Sequence, residues 1–258
     1  MKTTDRGIAQ EKTVAYTTNL ISATHLSSMK QTASRAMLAQ EPSSALRTPT
    51  LFWIFVIGSI AGLLIEIAFH AVIFGGYESR AGLVWGPFSP IYGVGAVVLT
   101  IVSSRFSQAN AVAVFFIAAL AGSTVEFATS WAMEVFFGAV AWDYSGTFGN
   151  IDGRVNVTFA LMWGALGLGW TRLVMPHIEK SAERIDWNCA PIRIVSIACA
   201  VLMAVNIVVT IQALGRESAR MDAIAAETPI DHFLDEHFPS TWMQAHFENM
   251  SIMGVQQR

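Results

Sequence analysis

The segment Ala61-Gly62-Leu63-Leu64-Ile65-Glu66-Ile67-Ala68 decides how this sequence is interpreted, because its pattern occurs twice. Sixty residues later, Ala121-Gly122-Ser123-Thr124-Val125-Glu126-Phe127-Ala128 has the same opening pair and the same single carboxylate. A charged carboxylate in hydrocarbon costs at least a few kcal/mol, so both glutamates are expected to face protein or water. The repeat therefore predicts two equivalent membrane helices, each with one inward-facing acid.

Length and composition place the chain among membrane proteins. Of its 258 residues, 53% are hydrophobic and only 14% are charged. The runs Leu51–Phe74, Ala111–Val125 and Ile194–Ile211 contain almost no charge and are too long for the core of a soluble domain. A net charge of −3 and the lack of a basic stripe argue against a nucleic-acid partner. The lipid bilayer is the expected surrounding.

We predict an all-α polytopic membrane protein with five membrane helices between two tails. Residues 1–50 should form a polar, disordered tail, residues 51–211 the transmembrane domain, and residues 212–258 an extramembrane or interfacial tail. The five predicted spans are Leu51–Phe74, Pro90–Ser104, Ala111–Gly138, Val157–Val174 and Pro191–Ile211. The second span is short for a bilayer, so the irregular segment before it is expected to be partly embedded.

The halves that follow the two glutamate segments also match, although less closely. The corresponding positions are Arg80, Tyr92, Gly93 and Gly95 in the first half and Arg154, Trp163, Gly164 and Gly167 in the second. Spans one and two therefore form one unit, which spans three and four duplicate. Because two helices separate the copies, they run parallel about an axis along the membrane normal, and the two glutamates should lie at equal depth.

The orientation follows from basic residues near the span ends. More of them lie on the side of the amino terminus, which predicts a cytoplasmic amino terminus in the plasma membrane. Both interhelical motif loops should then lie on the outer face.

Several motifs resemble a known family. They are Gly82-Leu83-Val84-Trp85-Gly86-Pro87-Phe88-Ser89-Pro90-Ile91-Tyr92-Gly93, Trp142-Asp143-Tyr144-Ser145, and Asn150 followed by Gly153-Arg154. Their order and spacing, with the glutamate segment of span one, resemble the putative ABC-transporter type IV (CmpB-like) membrane family over roughly Phe52–Ile178. The resemblance implies a transport component without naming a substrate. Since the chain has no phosphate-binding P-loop, transport of this type needs a separate ATPase subunit, and the small core suggests association with further copies.

The candidate site has an inner and an outer part. Glu66, Glu126 and Tyr92 are expected to line a path for a solute or ion, where two facing acids can take up a proton or bind a cation. The predicted loop motif and gate consists of Arg80, Pro87, Pro90, Trp142, Asp143, Tyr144, Asn150 and Arg154. The two arginines can form salt bridges at the rim or capture an anion. The sequence suggests no metal or cofactor.

Other interpretations of the same residues stay open. Each glutamate can instead remain protonated and bond a neighbouring helix, with Gly62 and Gly122 permitting close packing. A membrane-embedded enzyme acting on lipid-linked substrates could use Glu126, Asp143 and Arg154 as acid, base and anion clamp. A non-transporting scaffold or sensor would use the two tails for docking. No known hydrolase motif occurs, so the preferred prediction is a transport subunit and not an enzyme.

Overall fold

The computed structural model describes residues 43–252, and the predicted amino-terminal tail lies outside this range up to residue 42. Eight α-helices follow one another in the described part of the chain. They are α1 (Thr48–His70), α2 (Pro90–Arg105), α3 (Ala111–Phe137), α4 (Val157–Gly169), α5 (Met175–Arg184), α6 (Ala190–Met221), α7 (Pro229–His237) and α8 (Ser240–His246). Shorter elements are a 3-10 turn (Ser44–Leu46), π-helical turns (Ala71–Gly75 and Trp170–Val174) and two strands, β1 (Ala139–Val140) and β2 (Ser251–Ile252).

Four helical segments between residues 43 and 252 are long and apolar enough to cross a membrane. They are Thr48–Ile73, Ala111–Phe137, Val157–Arg184 and Ala190–Met221. Helix α2 is apolar but shorter. The prediction of an all-α polytopic membrane protein is confirmed, with four long spans and one short helix.

Two helices run further than the sequence predicted. The fourth span was expected to stop at Val174, but a π-helical turn joins α4 to α5 and the helix reaches Arg184. Pro176 lies in the first turn of α5, where its missing N–H is tolerated. The fifth span was expected to stop at Ile211, but α6 continues to Met221. Its charged last turns are stable because their side chains form ion pairs with one another and with α7.

The duplicated unit is visible in how the helices pack. Helix α1 packs against α2, and α3 packs against α4. A Cβ added at Gly62 would lie 2.3 Å from Tyr92 Cβ, and a Cβ added at Gly122 would lie 2.3 Å from Trp163 Cγ. The next residue of each partner helix is matched as well, since Gly93 faces Phe55 and Gly164 faces Phe115. The glycine of each glutamate segment therefore receives the matching aromatic side chain of its partner helix.

The first loop (residues 76–89) is irregular and lies beside the middle of α1. The Ser89 N–H donates to the Ser59 carbonyl, 3.1 Å away, halfway along α1. Leu83 is buried against Val56 of α1 and Met203 of α6. Helix α2 therefore starts deep in the bundle, which explains why this helix can be short.

The C-terminal cap (Pro229–Ile252) folds back over the loops of both units. Strand β2 pairs antiparallel with β1, which directly follows α3. The Ser79 N–H donates to Glu248 Oε2 at 2.6 Å, and the Ser79 hydroxyl donates to the His246 carbonyl at 2.7 Å. A hydrophobic core joins the cap to α6 and to the first loop through Leu214, Val84 and Phe247. The cap thus fixes the first loop, and β1 before the second loop, relative to α6.

Candidate functional site

The glutamate of the first unit has a hydrogen-bond donor and a cation as neighbours. The Tyr92 hydroxyl of α2 donates to Glu66 Oε2. Arg80 Nη1 of the first loop lies 3.6 Å from Glu66 Oε1. The Glu66 side chain is 28% exposed and the Arg80 side chain 19%. Glu66 is therefore a half-buried carboxylate with its own counter-ion.

Two further ionisable side chains lie beyond Glu66 and form, with Arg80, the outer cluster (His70, Glu78 and Arg80). Glu78 Oε2 is 2.6 Å from His70 Nε2 and 3.0 Å from Arg80 Nη2, so one oxygen serves both groups. His70 was not predicted from the sequence. The detectable signal was spacing, because His70 follows Glu66 by one helical turn and shares its face.

The glutamate of the second unit has a different environment. Glu126 is only 6% exposed, and its Oε1 accepts a hydrogen bond from the Tyr144 hydroxyl at 2.9 Å. Its other oxygen, Oε2, is buried and has no hydrogen-bond partner of normal geometry. The Trp163 indole lies near enough to act on the carboxyl but does not meet that geometry at Oε2. No cation pairs with Glu126 in the described part of the chain.

Tyr144 connects the two glutamates electrostatically. Burial raises the pKa of the Tyr144 phenol above its ordinary value, and the nearby negative charge of Glu126, its hydrogen-bonded partner, raises it further. The charge of Glu66 also raises this pKa, whereas Arg80 lowers it. Charges act appreciably only over short distances, so Tyr144 lies within reach of both glutamates. Tyr144 is therefore bonded to Glu126 and is also acted on by the charge of Glu66.

The second arginine does not repeat the role of the first. Arg154 Nη2 lies 2.6 Å from Glu134 Oε2, and Arg154 Nε lies 2.8 Å from Asp152 Oδ2. Its Nη1 donates to the Ser130 hydroxyl at 3.3 Å. Arg80 approaches the glutamate of its own unit, whereas Arg154 is held by Glu134, two turns beyond Glu126 on α3, and by Asp152, two residues before it in the chain. The matched arginines therefore pair with different acids in the two units.

The second loop (residues 141–156) is organised by its own polar side chains. Trp142 Nε1 donates to the Arg154 carbonyl at 2.9 Å. Asp143 Oδ1 accepts from the Ser145 N–H at 2.8 Å and from its hydroxyl at 2.5 Å, and these bonds lower the pKa of Asp143. Asn150 donates to two loop carbonyls and accepts from the Gly153 N–H. Trp142, Asp143 and Asn150 thus shape the loop.

The acid, base and clamp of the enzyme interpretation are not joined in this arrangement. Among residues 43–252, no hydrogen bond or ion pair links Glu126, Asp143 and Arg154, and each has its own partners. Asp143 is an exposed carboxylate already engaged by Ser145.

The two prolines of the first loop have structural positions. Pro90 lies in the first turn of α2 and Ser89 at its N-cap, as expected, although the Ser89 hydroxyl makes no capping bond. Pro87 follows Gly86, whose φ of 72° is accessible to glycine. Both prolines set the path of the backbone.

The sequence analysis missed two polar residues of α6 that hold the first loop. Asn206 Oδ1 accepts from the Trp85 N–H at 3.2 Å, and its Nδ2 donates to the Trp85 carbonyl at 2.8 Å. Thr210 Oγ1 accepts from the Val84 N–H at 3.0 Å. Irregular backbone at membrane depth needs such partners. The available signal was an Asn and a Thr one turn apart in an otherwise apolar span.

Two cavities lie away from the glutamates. One, of about 450 Å³, is between α6 and α7 and is lined by Arg216, Thr228 and Asp231. The other, of about 200 Å³, is lined by Ser103, Thr171 and Arg172 near the opposite ends of the helices. Within the described range, no group of three His, Cys, Asp or Glu residues could hold a metal ion.

Comparison with known proteins gives one family. The profile of the family described as putative ABC-transporter type IV matches residues 53–211, from α1 into α6. No match was found among functionally curated proteins or among solved structures. The family description and the four apolar spans identify a multi-pass membrane protein related to transport. Since the match covers more than half of the sequence, the chain belongs to the putative ABC-transporter type IV family.

Proposed function

We propose that the chain is the membrane subunit of a transport system and that Glu66, Tyr92 and Glu126 line its polar path. One observation carries this proposal: Tyr144, bonded to one glutamate, also lies within the field of the other. Intramembrane carboxylates are costly, and they usually mark the routes of substrates or ions. Glu66 and Glu126 come from the two copies of one unit, and both act on the Tyr144 phenol. This favours a shared polar route over two separate packing contacts.

The outer cluster and the second loop form the mouth of this path in our proposal. Arg80 is poised between Glu78 and Glu66, so it can hold the path closed by ion pairing or receive an anionic group of a solute. Arg154 is fixed by Glu134 and Asp152 and acts as part of the rim. Movement of the first loop, which holds Arg80, is the proposed gating step.

Partners are inferred from what the chain itself supplies. It has no phosphate-binding P-loop, so a separate ATPase subunit would provide the energy. Five helices enclose little space, which favours assembly with further copies around the path. We propose that the protein lies in the plasma membrane, with its amino terminus and the bundle ends near Arg105 and Arg172 on the cytoplasmic side.

Neutral substitutions at the glutamates test the path. The purified full chain, with any co-purifying ATPase, is reconstituted into proteoliposomes and assayed for uptake of labelled anions, cations and neutral solutes. We expect Glu66→Gln and Glu126→Gln to lower uptake by at least ~10-fold, equivalent to about 1.4 kcal/mol. Glu183→Gln changes an exposed acid of α5 and should retain wild-type uptake. A folded double variant, Glu66→Gln with Glu126→Gln, that transports at the wild-type rate would refute the path.

A further inference from the structure

We propose that the two glutamates bind one proton between them, which resides on Glu126 while Glu66 is ionised. This inference rests on the proposed function, because it names the proton as a ligand of the same path. It is based on the unequal surroundings of Glu66 and Glu126, which occupy equivalent positions in the two copies of the repeat.

Glu66 has what an ionised carboxylate needs. Arg80 supplies a positive charge 3.6 Å from Oε1, and the Tyr92 hydroxyl donates to Oε2. The other ionisable groups that face it are Glu78 of the first loop, which takes part of the arginine charge, and His70 of α1. A half-buried carboxylate with a cation and a hydroxyl donor is stable in its charged form.

Glu126 also has a hydroxyl donor, Tyr144, but it has no cation beside it in the described part of the chain. The groups that face it are Tyr144 of the second loop and Trp163 of α4, both uncharged, and its Oε2 has no hydrogen-bond partner. The matched arginine, Arg154, is held by Glu134 and Asp152 instead. Burying an unpaired carboxylate costs several kcal/mol, and a group in that position takes up a proton instead. A proton on Oε2 leaves Oε1 free to accept from Tyr144, as it does.

The chemistry at Glu126 suits a proton better than a metal ion. Hard cations such as Ca²⁺ take six or more oxygen ligands, and Mg²⁺ requires near-octahedral oxygen geometry. Here the carboxyl and one phenol oxygen are the polar groups in contact, and the Trp163 N–H is a donor that a cation would repel. No metal-binding group of three His, Cys, Asp or Glu residues occurs in the part of the chain that the structure describes.

Arg80 determines which glutamate holds the proton. While its guanidinium pairs with Glu66, protonation of Glu66 would remove one of the two negative charges beside that cation. If Arg80 moves away with the first loop, Glu66 loses its counter-ion and becomes able to accept the proton that Glu126 releases. Glu126 then becomes the carboxylate, Glu66 becomes the acid, and the total charge of the pair is unchanged. A proton shift is thus coupled to movement of the loop.

Infrared difference spectroscopy of the full chain in lipid, in H₂O and D₂O, tests this inference without a transport assay. A protonated carboxyl has a C=O stretching band that is separate from the carboxylate bands and shifts on deuteration. At neutral pH the wild type should show this band for one glutamate. Glu126→Gln should remove it, whereas Glu66→Gln and the surface control Glu183→Gln should retain it. Arg80→Gln should move the proton to Glu66, so that in the Arg80→Gln background the band is removed by Glu66→Gln, whereas Arg80→Lys, which keeps the charge, should leave the band on Glu126.

Three results would overturn the inference. They are a wild-type protein without the band, two bands in the wild type, and a band that Glu66→Gln removes while Glu126→Gln retains it. Failure of the wider proposal looks different. If the band behaves as expected but the glutamine variants transport normally, the proton site is supported and the transport path is refuted. If the glutamine variants abolish transport and no band is found, the transport path is supported and the proton site is refuted.

Discussion

Replacing Gly62 by alanine should push α1 away from α2 and weaken the contact between Tyr92 and Glu66. The added Cβ would lie 2.3 Å from both Cβ and Cγ of Tyr92. Ordinary van der Waals contact begins near 3.4 Å, so the overlap is about 1.1 Å. These two atoms are close to the backbone of α2, and a change of side-chain rotamer cannot move them both away. The helices must therefore shift.

The expected cost is the difference between two opposing effects. Overpacking of a tight contact costs typically about 1–3 kcal/mol, and an overlap of this size with atoms near the backbone belongs at the upper end. Alanine is better than glycine in a helix by up to about 1 kcal/mol, which offsets part of the loss. We expect Gly62→Ala to lower the free energy of unfolding by about 2 kcal/mol.

Unfolding of the detergent-solubilised protein by increasing mole fractions of SDS, followed by tryptophan fluorescence, measures this change. Gly215→Ala is the matched control, since it makes the same substitution in α6, where a Cβ meets nothing within 4 Å. The control should be neutral or slightly stabilising. Equal unfolding curves for the two variants would refute the close packing of α1 on α2 at this position.

Two further predictions concern the supports of the site. Asn206→Leu leaves the N–H and carbonyl of Trp85 without partners and should cost about 2 kcal/mol in the same unfolding assay. Thr124→Val, which removes a bond only to its own helix, should be nearly neutral, and equal losses would contradict the role of Asn206. Asp235 anchors the cap, and the hydrogen bond from Arg216 lowers its pKa from 3.8 to about 2. An acid whose pKa is lower in the folded state stabilises the fold at pH values above its unfolded pKa. This stabilisation is lost as the pH falls through the folded pKa. The protection of α7 amides against hydrogen exchange, measured relative to an unfolded peptide at the same pH, should therefore fall between about pH 4 and pH 2, with a smaller pH dependence in Asp235→Asn; an unchanged dependence would argue against this anchor.

The pairing of the helices could be predicted because the repeat is a local pattern. The glycine and glutamate of each copy have the same spacing, and equal spacing places them on equal faces of a helix. Tyr92 and Trp163 could be matched because a glycine directly follows each of them. These relations depend on helical periodicity, which a sequence displays directly.

The difference between the two glutamates could not be predicted in the same way. It depends on where Arg80 and Arg154 point, and each arginine lies in a loop whose path is set by contacts distant in sequence. Asn206, for example, fixes the first loop from 121 residues away. Period and spacing carry no information on such contacts, so two matched arginines were expected to act alike.

The C-terminal cap illustrates a second limit. Its acids and aromatics were compatible with a helix lying at the membrane surface. The pairing of β2 with β1 and the bond from Ser79 to Glu248 depend on a chain reversal after Met221. The last turns of α6 are rich in charge, and only the partner residues of α7 make that charge compatible with a continuing helix.

The central claim is that Glu66 and Glu126 belong to one polar site, with Tyr144 within reach of both. Fluorine NMR of the protein labelled with fluorotyrosine tests it directly, and Tyr144→Phe assigns the resonance. The account predicts that the Tyr144 signal shifts in Glu66→Gln as well as in Glu126→Gln, and stays in place in Glu183→Gln. A signal that responds to Glu126→Gln alone would show that the two carboxyls lie in separate environments and would contradict the account.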